Sequence, residues 1–236
     1  MKAILAPAIL IGVLFLLTVS HAQQSSSVAD TEAERILDKA AQAEGGDNVL
    51  GSLRTLQMKG SIYSGSSLLL GDVQSIIEFP DKFCDIFQSA NGKSLKYGFD
   101  GTEAWTRSAM GERSTGLPRL QLLLPAAQWR LRYTEATFVG QRKIGHRQAY
   151  VIRALVRGQT SPADYYYDAV NYRLLQIETA SSEAGPITYR VSGFHDINGL
   201  QVPREWSFGE FGENRTVIAS IKLNIDIADN QFAKPK

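Results

Sequence analysis

Beyond its first 22 residues this chain offers two histidines, His146 and His195, and one cysteine, Cys84, as candidate chemistry. Neither histidine has a partner at metal-ligand spacing, and no H-E-x-x-H occurs. His146 falls at an expected strand start and His195 just before an expected turn, so each reads as an edge or surface residue. His195 and Asp196 would be neighbours in a strand and point to opposite faces, which argues against an acid/base pair. Cys84 sits in an apolar alternating run with only Lys82 as a nearby base. It reads as a buried, inert thiol. No G-x-S-x-G nucleophile elbow occurs. The stretch "ANGKS" (Ala90–Ser94) ends like a phosphate loop, but Phe87 holds the place of its first glycine and the flanks alternate like strands. In "YGFDGTEAW" (Tyr97–Trp105), Asp100-Gly101 is most simply the tip of a hairpin, with Asp used for its turn geometry. Carboxylates are scattered, and no spacing singles any out. The expectation is therefore no enzyme, no metal and no cofactor.

The elements around these residues follow from periodicity. The start carries Lys2, an apolar run from Ala3 to Val19, and Ser20 and Ala22 before "QQ". Small residues at −3 and −1 suit a signal peptidase, so residues 1–22 read as a signal peptide. A transmembrane anchor is the competing reading, since the run is near the spanning limit. Residues 23–29 form a polar linker, and 30–236 a single domain of sufficient length for its own core. The net charge of +1 contains no basic block for nucleic acid and no acidic tail. With one cysteine there is no internal disulfide.

A helix begins near Thr31, where Thr31 and Glu34 form a capping box, and ends at Gly45-Gly46. A short turn or helix, Asp47–Leu53, follows. From Leu56 the period becomes two. The clearest case is the end of the chain, where Val217, Ala219, Ile221, Leu223, Ile225 and Ile227 alternate with polar residues and only Ile218 breaks the pattern. Turn signals at Pro80-Asp81, Asn91-Gly92, Asp100-Gly101, Ser161-Pro162, Ala169–Asn171 and Asn198-Gly199 divide about ten or eleven antiparallel strands in hairpin order. A second helix is expected near Leu117–Leu131, "LPRLQLLLPAAQWRL", kinked or split by Pro125. Leu120, Leu122, Leu123 and Leu124 make it apolar nearly all round. Tyr165, Tyr166 and Tyr167 place at least one ring on each face of a strand. Either the apolar surface packs into an ordinary core, or a curved sheet leaves a cavity that the two helices cover.

Four stretches resemble the outer-membrane lipoprotein-sorting protein family, the periplasmic lipoprotein carriers and their relatives. "AEGGDNVLGSLRTLQMKGSI" (Ala43–Ile62) resembles the family's opening of helix, Gly-Gly, "LxxLxTL" turn and first strand. "YGFDGTEAW" resembles its aromatic hairpin. "YYYDAVNYRLLQIE" (Tyr165–Glu178) resembles the strand, Asp-led turn and strand that follow. "FHDINGLQVPREWSF" (Phe194–Phe208) resembles its late hairpin. Their order along the chain is the specific part.

The resemblance implies an α+β fold: a strongly curved antiparallel β half-barrel, with the N-terminal and mid-chain helices as a lid over a hydrophobic cavity. It implies a periplasmic, exported, monomeric and non-enzymatic carrier of a lipid or of a lipoprotein's acyl chains, with an envelope membrane protein as a further partner. The expected lining or lid residues are Tyr97, Phe99, Trp105, Leu122, Leu123, Tyr166 and Trp206, acting by apolar contact. In the carriers an arginine latches the lid; Arg54, Arg107 and Arg153 are the candidates here. The same architecture also serves envelope sensors and protein-interaction modules without lipid cargo.

Overall fold

The computed structural model describes residues 29–109, 124–179, 187–209 and 212–235. The expected leader, nearly all of the linker, and Leu122 and Leu123 lie outside them. Helix α1 spans Thr31–Glu44 and α2 spans Gly46–Gly51. The expected capping box is replaced by a neighbour. Asp30 is the N-cap, its carboxylate accepting from the Ala33 amide at 2.8 Å. Its second oxygen accepts from the Phe138 amide at 2.9 Å. The two oxygens of one carboxylate satisfy the helix end and a strand separately.

The described strands number twelve rather than ten or eleven. They are β1 Thr55–Ser64, β2 Leu68–Glu78, β3 Lys82–Ser89, β4 Ser94–Phe99, β5 Ala104–Ser108 and β6 Tyr133–Ile144. After them come β7 Arg147–Val156, β8 Ala163–Asp168, β9 Leu174–Thr179, β10 Ile187–Ile197, β11 Leu200–Phe208 and β12 Asn214–Leu223. They form one antiparallel sheet in the order β5-β4-β3-β2-β1-β12-β11-β10-β9-β8-β7-β6. Hairpins run outward from β1 to one edge. The chain then crosses to the far edge and returns by hairpins until β12 pairs with β1. Each expected turn pair sits at a strand junction; at Asn198-Gly199 both residues have positive φ, 54° and 88°.

The sheet is open but bent. β5 and β6 are its edge strands, β6 meeting, among the described residues, only a one-residue bridge from Ala29 to Ala136, yet the two arms touch at one end. Gly158, after β7, lies against the Phe99 ring at the end of β4; a Cβ there would stand 2.5 Å from the ring. Beside it the Arg157 guanidinium lies 3.8 Å from the Asp81 carboxylate. Contact between such distant strands requires strong curvature.

The enclosed, concave face carries the core. Leu56, Met58 and Ile62 of β1, Phe83 and Phe87 of β3, Tyr165 and Tyr167 of β8, and Trp206 and Phe208 of β11 all turn into it. The last strand departs from strict alternation. Thr216 and Ile218 are buried, and Ala219 and Ser220 exposed, before Ile221 and Leu223 turn back toward the core. A bulge explains this: Gly60 pairs with Ile218 but Lys59 pairs with Ser220, leaving Ala219 as the extra residue. Ile218, which broke the sequence pattern, marks where the faces exchange.

The mid-chain segment is not one helix over Leu117–Leu131. Of its described part, Leu124–Gln128 forms turns and only α3, Trp129–Arg132, is helical. Gln128 adopts a left-handed conformation, φ 50°. Its side-chain amide donates to the Leu50 and Leu53 carbonyls at 3.1 and 2.9 Å. Pro125 cannot donate a helical hydrogen bond, and these distant acceptors capture the chain instead.

Candidate functional site

α1 lies on the concave face and contacts β6 and β11. Ala33, Ile36, Leu37 and Ala40 are fully buried beneath it. Their spacing of three and four residues puts them on one stripe. The crossover follows at the C-terminal end of α1. Leu124, Ala126, Ala127 and Trp129 all join the same apolar core.

Polar ties hold these pieces together. On the solvent side, Arg130 reaches Asp38 at 2.6 Å and Glu34 at 2.7 Å, and the Trp129 indole donates to Asp38 at 3.1 Å. Arg130 also holds the Asp38 carboxyl below its ordinary range. On the inside, the buried Arg132 guanidinium donates to the carbonyls of Leu124 and Ala127. Between the helices and the crossover is a cleft of about 270 Å³, lined by Ala41, Leu50, Ala126 and Trp129 among others.

One polar island sits within this interior. Glu44, the last residue of α1, is buried, and one of its carboxyl oxygens accepts from the Ala126 amide at 3.2 Å. Burial pushes the carboxyl up to about 8, against smaller opposing effects of that amide and of Arg132. The Tyr133 and Tyr167 hydroxyls face the same region and make no hydrogen bond of normal geometry among the described residues. Burial keeps both phenols well above their usual range.

The anticipated lining residues divide. Phe99 and Trp206 are buried in the concave core, with Tyr97 packed at its margin. Trp105 faces the other way. It packs with Ile76, Cys84 and Phe232, and its indole donates to the Phe232 carbonyl at 2.7 Å. The C-terminal tail thus covers the outer face of β2–β5. Tyr166 is also outward, in a cluster with Ala149 and Val151, its hydroxyl donating to Glu178 at 2.6 Å.

The anticipated latch arginines are elsewhere. Arg54 and Arg107 are exposed, and Arg153 forms a two-pronged bond to Asp164 at 2.7 and 2.8 Å. Arg132 and Glu44 escaped the sequence reading, because each is marked only by partners that folding supplies. Asp100 is a turn residue: its carboxylate accepts from the Thr102 and Glu103 amides, both at 2.8 Å, and these amides hold it below its usual range. Cys84 is buried, and its thiol is pushed up to about 12 by burial, with Asp85 adding to the effect. Among the described residues, no three His, Cys, Asp or Glu side chains could hold a metal ion.

A LolA superfamily protein from Nitrosomonas europaea superposes with a TM-score of 0.54 at 18% identity, over 86% of this chain and 97% of that one. A domain described as an outer membrane lipoprotein-sorting protein, from Vibrio parahaemolyticus, gives 0.51 at 11% identity, over 85% and 97%. The chain has the fold of these lipoprotein-sorting proteins. No family model and no curated protein matches the sequence. The likeness therefore rests on shape. Among the described residues no helix is long and apolar enough to cross a membrane.

Proposed function

We propose that this protein is a non-enzymatic periplasmic binding protein for a lipid or for the acyl chains of a lipoprotein. The observation that carries the reading is the construction of the concave face. Apart from the polar island around Glu44 it is mainly apolar from one arm of the sheet to the other, and its cover consists of separate pieces, α1 and the crossover. Those pieces are tied to each other by Arg130, which bonds Asp38 and Glu34 of α1, while Arg132 closes the crossover on itself through the Leu124 and Ala127 carbonyls. In this structure the protein's own side chains fill the face; on this reading that is a closed form, whereas a face that never opens would favour a protein-interaction module without lipid cargo. Acyl chains take the place of α1 or the crossover when the ties open. Each buried CH₂ contributes about 0.8 kcal/mol, so a chain of moderate length can offset separation of a lid held by a few polar contacts. Phe99, Trp206 and Tyr97 are the lining residues on this reading, with Leu122 and Leu123 proposed for the lid.

The test is extraction and mass spectrometry of protein purified from a periplasm. Stoichiometric lipid, retained or increased when Arg130→Glu loosens the cover, supports the reading. A protein that carries no lipid, and takes up no fluorescent acyl probe after delipidation, overturns it.

A further inference from the structure

The sheet comes apart between two strands that are otherwise neighbours. β9 and β10 pair from Thr179–Ile187 to Gln176–Arg190, and the ladder stops there. Both strands continue. Extending the register would set Leu175 opposite Val191 and Leu174 opposite Ser192, but neither pair forms. Both strands are irregular there: Leu175 of β9 is left as an extra residue in its pairing with β8, and the register of β10 with β11 shifts twice, between Val191 and Gly193 and between Gly193 and Phe194. These bulges bend β9 and β10 apart.

The gap is a groove of about 630 Å³, within the size range of ligand sites. Its floor is apolar, formed by Ile144, Leu174, Leu175, Val191 and Phe194. Its rim carries Arg147, Arg173 and Arg190, with His146 beside them, and no carboxylate is among the lining residues. All three arginines are exposed. The carboxylate of Asp168, behind the rim, lies 3.4 Å from Arg147; Arg173 bonds Gln201 at 3.4 Å and stacks over Phe194. Arg147 is thus partly neutralised by Asp168, while Arg173 and Arg190 keep the rim net positive.

We propose that this groove binds an extended acidic segment of another protein, which enters as an added strand. Three features select that occupant together. The facing strand edges of β9 and β10 present main-chain groups that a strand can pair with. The apolar floor receives alternate side chains of such a strand. The guanidiniums match carboxylates on the same segment. A single-chain anionic lipid would satisfy the floor and the arginines but leave the strand edges without partners. The groove borders the concave core through Leu174 and Val191, but its arginines open to solvent.

The experiment uses the purified protein and an array of labelled nine-residue peptides alternating Glu or Asp with Val, Ile or Leu, read by fluorescence anisotropy. Lysine-containing counterparts serve as controls and laurate as competitor. The expected result is saturable binding of acidic members, weakened by added salt. The exposed double substitution Arg173→Glu and Arg190→Glu weakens it about tenfold or more. Hydrogen exchange of the bound complex shows new protection across Val191–Ile197. The proposal is overturned if no acidic member binds, if lysine peptides bind equally, or if the double substitution has no effect. It is overturned equally if laurate binds at the arginines while no peptide protects the strand edge.

Discussion

At the residue scale, the side chain that most sets the behaviour of the interior is Glu44. Its carboxyl is pushed up to about 8 by burial, against an ordinary value near 4.5 in the unfolded chain. Between those values the unfolded chain has released its proton and the folded protein still holds it. Stability contributed by this group therefore falls as pH rises from about 4.5 to about 8, and levels above. Glu44→Gln removes the titration while keeping an acceptor for the Ala126 amide. We expect thermal melts of the variant and the parent to be close near pH 5, with the variant increasingly the more stable toward pH 8. A gap that does not change with pH would show that Glu44 is not the titrating group. Nothing in the sequence around Glu44 announces this. A glutamate at a helix end before Gly-Gly normally faces water, and only the crossover laid over it removes that water.

At the element scale, the cover and the tail give two predictions. Arg130 ties the crossover to α1 through exposed ion pairs with Glu34 and Asp38, which contribute only about 0.2–1 kcal/mol each. Arg130→Glu replaces attraction by repulsion at the same contacts. It should leave the melting temperature nearly unchanged and speed uptake of a fluorescent acyl probe severalfold. Unaltered uptake kinetics would show that the crossover does not limit entry. The tail is tied by Phe232, which covers Trp105 and Cys84 on the outer face. Phe232→Ala should raise the rate at which a thiol reagent labels Cys84 by tenfold or more, because the thiol loses its cover. Labelling as slow as in the parent would mean that the sheet itself shields the sulfur. Element types were legible where the local pattern was strong. The first helix, its Gly-Gly end and the hairpin turns follow from capping, glycine and Asn-Gly chemistry. Of the expected mid-chain helix the described part turns as far as Gln128, whose side chain is captured by carbonyls remote in sequence, and only Trp129–Arg132 is helical.

At the scale of the whole molecule, curvature is what turns a string of hairpins into a container. Gly158 has φ 79° and meets the Phe99 ring, so it pins one arm of the sheet against the other. Gly158→Val adds strain at a positive φ and a steric conflict with that ring. We expect a loss of about 1–3 kcal/mol in urea unfolding, with faster exchange of the amides at the ends of β4 and β7. A neutral substitution would mean that the arms are held apart from this contact. By itself the sequence determined the α+β class, the antiparallel hairpin order, the turns, an inert Cys84 and the structural role of Asp100. Each follows from a short stretch of chain whose preferences agree with its neighbours. The sequence left Trp105 and Tyr166 as candidate lining residues, although both turn to the outer face, because one residue of slip or one bulge exchanges the faces of a strand. Only the tertiary structure decided which aromatics share an interior, that β9 and β10 part company, and that Arg132 and Glu44 meet under the crossover. Those depend on contacts between residues far apart in the chain, and no local pattern encodes them.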